Sequence, residues 1–166
     1  MDNITKSDML LSLLRRRGLT LSAAESCTGG WFSKTMVDTP GASDVFMGGV
    51  VSYVNTVKER LLGVPPSLIQ QHTAVSAPVA RAMAEGVRCR TQSDIGISVT
   101  GLAGPGGGSE SIPVGRVYIA VSLPKKDPVV RELTLRGTRE EIRRGATEAM
   151  IEFLIQLLSE QEAMIS

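Results

Sequence analysis

Histidine occurs once in these 166 residues and cysteine twice, and that scarcity removes whole classes of chemistry. His72, Cys27 and Cys89 cannot supply the three or four nitrogen and sulfur ligands of a zinc site, so no metal is expected. A Ser-His-Asp triad would have to use His72, which sits in the polar stretch Gln70-Gln71-His72-Thr73 ahead of an expected helix start. Aromatics make up only 4% of the chain, too few for a platform on which bases stack. A net charge of +1 lacks the basic excess of a nucleic-acid footprint. No apolar run approaches the ~18 residues of a membrane span. The opening Met1-Asp2-Asn3-Ile4-Thr5-Lys6 leads into an amphipathic stretch rather than a secretory signal. The expectation is a cytoplasmic protein with both thiols reduced, without nucleic-acid or membrane partners.

What is present is an ordinary globular balance, 42% hydrophobic and 21% charged, and a length that fits one domain over residues 1–166. Ser7 is placed to cap a helix carrying Leu10, Leu13 and Leu14, with Arg15-Arg16-Arg17 at its negative end and Gly18 as terminator. Leu19–Ala24 alternates as a strand, Glu25–Gly30 is a tight turn, and Trp31–Val37 is helical. After the turn cluster Thr39–Ser43, Gly49–Val54 reads as a second strand and Asn55 onward as a short helix through Lys58 to Gly63. Val64-Pro65-Pro66 breaks that helix, and Ser76 caps a longer one with Pro78 in its first turn and Val79, Met83 and Val87 at fourfold spacing.

Asp94–Thr100 predicts a third strand, half apolar on each face. A glycine-rich stretch follows from Gly101 to Gly115. Val117, Ile119 and Val121 mark a fourth strand, and Val129, Leu133 and Leu135 a fifth, joined by the short linker Pro124–Pro128. Thr138 to Glu141 is a capping box opening a long helix whose apolar side includes Ile142, Ala146, Ala149, Phe153 and Leu157. This order predicts a three-layer α/β/α sandwich on a five-stranded, mainly parallel mixed sheet, with one antiparallel hairpin strand.

Ligands of parallel α/β sheets bind beyond the carboxyl ends of the strands, and three unusual segments converge there: Ser26–Gly30, Tyr53–Lys58 and Thr100–Gly108. The glycine loop is no P-loop, because Gly107 stands where that motif has lysine. It is no dinucleotide fingerprint either, because Ser109 replaces the third glycine. It can present backbone N–H groups to an anion or a flat ligand, or serve as a plain connection. Ser26 at a strand-to-helix turn can be a nucleophile beside free backbone donors, or an ordinary cap. A nucleophilic serine needs a base, and with histidine scarce Lys58 is available once desolvated, although it can equally be a solvated helix lysine paired with Glu59. Cys27, with no histidine to activate it, is the weaker nucleophile.

Four segments, AAESCTGG (23–30), GGVVSYVNTVKERLLGV (48–64), TAVSAPVARAMAEGVR (73–88) and TGLAGPGGGS (100–109), resemble the CinA C-terminal domain family. Its characterised members are nicotinamide mononucleotide deamidases of the PncC type. The resemblance runs from about Leu19 to Phe153. It implies a serine amidase without metal or cofactor, in which Ser26 is the nucleophile, Lys58 the base and Tyr53 a hydroxyl assisting proton movement. Backbone N–H groups near Thr28, Gly29 and Gly30 would hold the oxyanion. Asn55 and the loop residues Thr100, Gly101, Gly104, Gly106 and Gly107 would line a nucleotide site, and Arg139 would meet phosphate.

The resemblance further implies a homo-oligomer acting on a small-molecule nucleotide. Two departures stand out: Ile112 where the family commonly has lysine, and Thr138 where aspartate is commoner. Ile112 leaves room for another small amide as substrate. The family's name leaves room for a non-catalytic nucleotide-sensing domain linked to competence or DNA damage.

Overall fold

The computed structural model describes residues 4–166. Helix α1 (Lys6–Arg17) is followed by strand β1 (Leu21–Glu25), α2 (Trp31–Val37), a single 3-10 turn (Ala42–Asp44) and β2 (Phe46–Val51). Then come α3 (Asn55–Leu62), α4 (Pro66–His72), α5 (Ala77–Thr91), β3 (Ile95–Gly101), β4 (Arg116–Ser122), β5 (Val129–Thr134) and α6 (Arg139–Ile165). The sheet order is β2-β1-β3-β4-β5. β1 pairs parallel with β2 and β3, while β4 pairs antiparallel with β3 and β5. Four strands therefore run one way and β4 alone runs against them, which is the mixed α/β sheet that the element order implies.

Strand composition dictates the layers, because alternate residues face opposite sides. In β3, Ile95, Ile97 and Val99 join Val117, Ile119 and Val121 of β4 in the larger core, closed by α1, α2 and α6. Small residues face the other way. Ser98 donates to the Ala80 carbonyl of α5 at 2.6 Å, and Ala120 packs on Ala80 and Ala84. A Cβ on Gly96 would lie 2.2 Å from the Ala84 carbonyl oxygen, so glycine there lets α5 lie directly on the strand. Leu62, Val64, Ile69, Val79, Met83 and Val87 form a second core where α3 and α4 meet α5.

Four details differ from the sequence-based expectation. The N-cap of α1 is Thr5, in a reciprocal box with Asp8, and Ser7 is instead buried, accepting from Thr39. β2 runs Phe46–Val51 rather than Gly49–Val54, because its parallel register with Leu21–Glu25 ends at Val51 and an irregularity near Leu21 absorbs one residue. The double proline does not merely break α3: Pro66 occupies the first position of α4, where a missing N–H is tolerated, and His72 ends that helix exposed. In α6, Ile142, Ala146 and Phe153 are buried as expected, but Met150, Ile151, Leu154 and Leu158 complete the buried arc while Ala149 and Leu157 are only partly covered, since α6 packs on both the sheet and α1. Among the described residues no helix is long and apolar enough to cross a membrane.

Candidate active site

Parallel pairing brings the ends of β1, β2 and β3 side by side, and a crevice of about 360 Å³ opens beyond them. Its lining includes Ser26, Tyr53, Asn55, Lys58, Thr100, Gly101, Gly104 and Gly106, drawn from all three segments singled out in the sequence, together with Arg139 at the start of α6. A larger groove of about 610 Å³ between α1 and α6 is walled by Met9, Leu13 and Ile155 and offers no comparable pairing of nucleophile and base.

Ser26 extends β1 by one residue: its N–H donates to the Val99 carbonyl at 3.1 Å, and its own carbonyl then accepts from Gly29 N–H at 3.1 Å. Left-handed backbone at Gly29 and Gly30, φ 60° and 99°, turns the chain into α2. From the neighbouring segment, α3 sends Lys58 back across the strand ends. Its Nζ lies 3.0 Å from Ser26 Oγ, 2.7 Å from the Ser52 carbonyl and 3.3 Å from the Tyr53 carbonyl.

Lys58 is only 1% exposed. Burial without a carboxylate partner disfavours the ammonium and lowers its pKa from 10.5 to about 8. Neutral, the amine gives its two N–H groups to the two carbonyls and turns its lone pair toward the Ser26 hydroxyl. That is the geometry of a general base on a serine nucleophile. The adjacent Cys27 is pushed the other way: burial raises its thiol from 9.0 to about 11, which leaves it protonated and inert at neutral pH.

The turn after Ser26 is built differently from the expectation. Gly29 N–H is occupied by the Ser26 carbonyl, and Thr28, fully buried, donates its hydroxyl to Glu25 Oε1 at 2.6 Å. Glu25 also accepts from Phe32 N–H at 2.9 Å, Ser33 N–H at 3.0 Å and the Ser33 hydroxyl at 2.7 Å. The Phe32 and Ser33 donors in the first turn of α2 are thus taken by a carboxylate reaching back from β1, Trp31 N–H donates to the Thr28 carbonyl at 3.1 Å, and Thr28, Gly29 and Gly30 do not line the crevice. Glu25 and Arg143 escaped sequence reasoning. Arg143 Nε donates to the Cys27 carbonyl at 2.9 Å and its Nη2 to the Thr28 carbonyl at 3.0 Å. The AAES run reads as an ordinary strand end, and Arg143 is one of several arginines in α6.

Other expected residues fall into place unevenly. Arg139, at the first position of α6, donates to the Gly104 carbonyl at 2.8 Å and to the Tyr53 hydroxyl at 3.2 Å. The Tyr53 side chain is therefore turned to Arg139, and it is the Tyr53 carbonyl that meets Lys58. Thr100 lines the crevice, but its hydroxyl donates to the Ala74 carbonyl at 2.8 Å. Gly107 and Ile112 stand away from the crevice wall. Ile112 instead exchanges hydrogen bonds with Ser109 in a turn of the glycine loop. Among the described residues no group of three His, Cys, Asp or Glu side chains is placed to hold a metal ion.

Residues 4–158 match the family model described as the CinA C-terminal domain. Over 157 residues the chain is 44% identical to a CinA-like protein of Myxococcus xanthus, a match covering 95% of this chain and 37% of that protein. Over 146 residues it is 49% identical to a CinA-like protein of Gemmatimonas aurantiaca, covering 88% and 34%. The chain thus spans little more than a third of the length of these curated relatives. Among solved structures, the competence/damage inducible protein CihA from Agrobacterium tumefaciens superposes with a TM-score of 0.89 at 33% identity, covering 95% of this chain and 99% of that one.

Proposed function

The chain belongs to the CinA C-terminal domain family, and from that premise we propose that it is an amidohydrolase converting nicotinamide mononucleotide to nicotinate mononucleotide and ammonia. The observation that carries this reading is the 3.0 Å contact between Ser26 and a buried Lys58 whose pKa is lowered to about 8. In the proposed cycle Lys58 takes the Ser26 proton as Oγ attacks the carboxamide carbon. The tetrahedral adduct collapses with C–N cleavage, and Lys58 returns the proton to the departing nitrogen, which leaves as ammonia. Water, deprotonated by Lys58, then attacks the Ser26 ester and releases the carboxylic acid, restoring both side chains.

Arg139 is the arginine lining the crevice and would meet the substrate phosphate. The test is ammonia release from the mononucleotide by purified protein, with the acid product identified by mass; binding without turnover would instead favour a nucleotide-sensing domain. A second reading, hydrolysis of a smaller amide by the same pair, draws support from Arg139 already serving two protein acceptors. Equal rates on plain nicotinamide and on the mononucleotide would favour it.

A further inference from the structure

Arg143 lies one helical turn beyond Arg139 on α6 and spends its guanidinium on the backbone of the nucleophile turn, through Nε to the Cys27 carbonyl and Nη2 to the Thr28 carbonyl. In a trans peptide C=O and N–H point opposite ways, so holding a carbonyl also aims the next N–H. Fixing the Thr28 carbonyl directs Gly29 N–H onto the Ser26 carbonyl. That bond in turn sets the Ser26–Cys27 peptide, whose N–H belongs to the residue directly after the nucleophile. Cys27 lines the crevice beside Ser26, and among the described residues its N–H donates to no backbone carbonyl. The α2 donors at Phe32 and Ser33 are already held by Glu25, and Thr28 and Gly30 stand off the crevice wall, which leaves the Cys27 amide as the donor placed beside the reacting serine. Glycine at position 29 admits the guanidinium, since a Cβ there would lie 3.3 Å from its Nη2, and the Trp31 ring backs it at 5.5 Å.

Resting on the serine-amidase reading, we infer that Arg143 is a positioning residue: it locks three consecutive peptide planes so that Cys27 N–H is aimed at the oxyanion of the tetrahedral adduct. Its contribution is made in the transition state, because the ground-state amide oxygen carries less charge for that donor to meet. Arg143→Ala should lower kcat by about 100-fold, the order expected when a catalytic group is displaced by an ångström. KM and the midpoint of the pH profile should stay at their wild-type values.

Millimolar guanidinium ion, filling the vacated site, should restore part of the rate. Arg143→Lys, whose ammonium reaches one carbonyl but cannot fork to two, should fall between. The measurements are steady-state kinetics on nicotinamide mononucleotide, burst kinetics on p-nitrophenyl acetate and thermal melting. Arg143→Ala at the wild-type rate, a loss carried by KM, or a loss that guanidinium leaves untouched would overturn the assignment. Wild-type protein that releases no ammonia and forms no acyl-enzyme overturns the serine reading and this assignment together, whereas an active wild type matched by Arg143→Ala overturns the assignment alone.

Discussion

Lys58 Nζ stands 3.0 Å from Ser26 Oγ while the Ser52 and Tyr53 carbonyls, at 2.7 and 3.3 Å, occupy its other directions. The ammonium form fills all three contacts as a donor and cannot accept the serine proton, so only the neutral amine serves as base. With its pKa lowered to about 8, kcat/KM should rise with pH as a single ionisation, half-maximal near that value. Removing the base should cost about 10²- to 10⁴-fold, and Lys58→Arg should be as poor as Lys58→Ala, because a guanidinium stays charged. A pH–rate profile flat through this midpoint, or an active Ser26→Ala variant, would refute the assigned roles.

The same burial makes stability depend on pH in a direction fixed by linkage. Lys58 is protonated up to about pH 8 in the folded state and up to 10.5 in the unfolded chain. Between those values the unfolded state binds the extra proton, and stability rises with pH. Cys27 acts oppositely: its thiol ionises at 9.0 when unfolded and about 11 when folded, so stability falls through that interval. The wild type should gain stability from about pH 8 to 9 and then level off as the two groups offset each other. Cys27→Ala should uncover the full Lys58 rise up to pH 10.5, and Lys58→Met should abolish the gain between pH 8 and 9. Urea denaturation across this range checks both signs, and identical profiles for the three proteins would contradict them.

Glu25 is the buried anchor of the turn that follows Ser26, with four donors on its carboxylate. Alanine there strands the Phe32 and Ser33 N–H groups at about 1 to 3 kcal/mol each, so Glu25→Ala should cost about 3 kcal/mol or more. Glu25→Gln should cost less, since one amide oxygen still accepts while its NH₂ faces donors. A Glu25→Ala protein with the wild-type urea midpoint would show that the carboxylate is not holding α2.

Much of this molecule was legible in residue patterns, and the gaps have physical reasons. The Ile-Gly-Ile-Ser-Val alternation of β3 encodes a large-residue face and a close-packed face, and the Thr138–Glu141 box marks the start of α6. Convergence of Ser26, Lys58 and the glycine loop follows from parallel strands ending together. The true bounds of β2 were hidden because register is set by pairing with β1, not by Phe46–Val51 alone. The roles of Glu25 and Arg143 were hidden because each acts on backbone groups of another segment. A side chain's sequence neighbours do not reveal which carbonyl or amide it will reach, so neither the reach of Glu25 to Phe32 and Ser33 nor the grip of Arg143 on the Thr28 carbonyl is readable from the turn's own residues.

In the proposed reaction Arg139 would serve substrate recognition and not the chemical step. Its guanidinium bridges the Gly104 carbonyl and the Tyr53 hydroxyl across the mouth of the crevice, so an anion arriving there meets a cation already held in place by two neutral acceptors. Those acceptors occupy two of its five N–H groups and leave three for phosphate oxygens. Arg139→Ala should therefore raise KM for nicotinamide mononucleotide by about 10-fold or more, the loss of a charged hydrogen bond worth about 1.5 to 3 kcal/mol. The Lys58-dependent pH midpoint should not move, because Arg139 touches Tyr53 through its hydroxyl and Lys58 through nothing. On plain nicotinamide, which has no phosphate, the variant and wild type should be equally slow. A variant that loses kcat equally on both substrates would show that Arg139 serves the loop and Tyr53 rather than the phosphate.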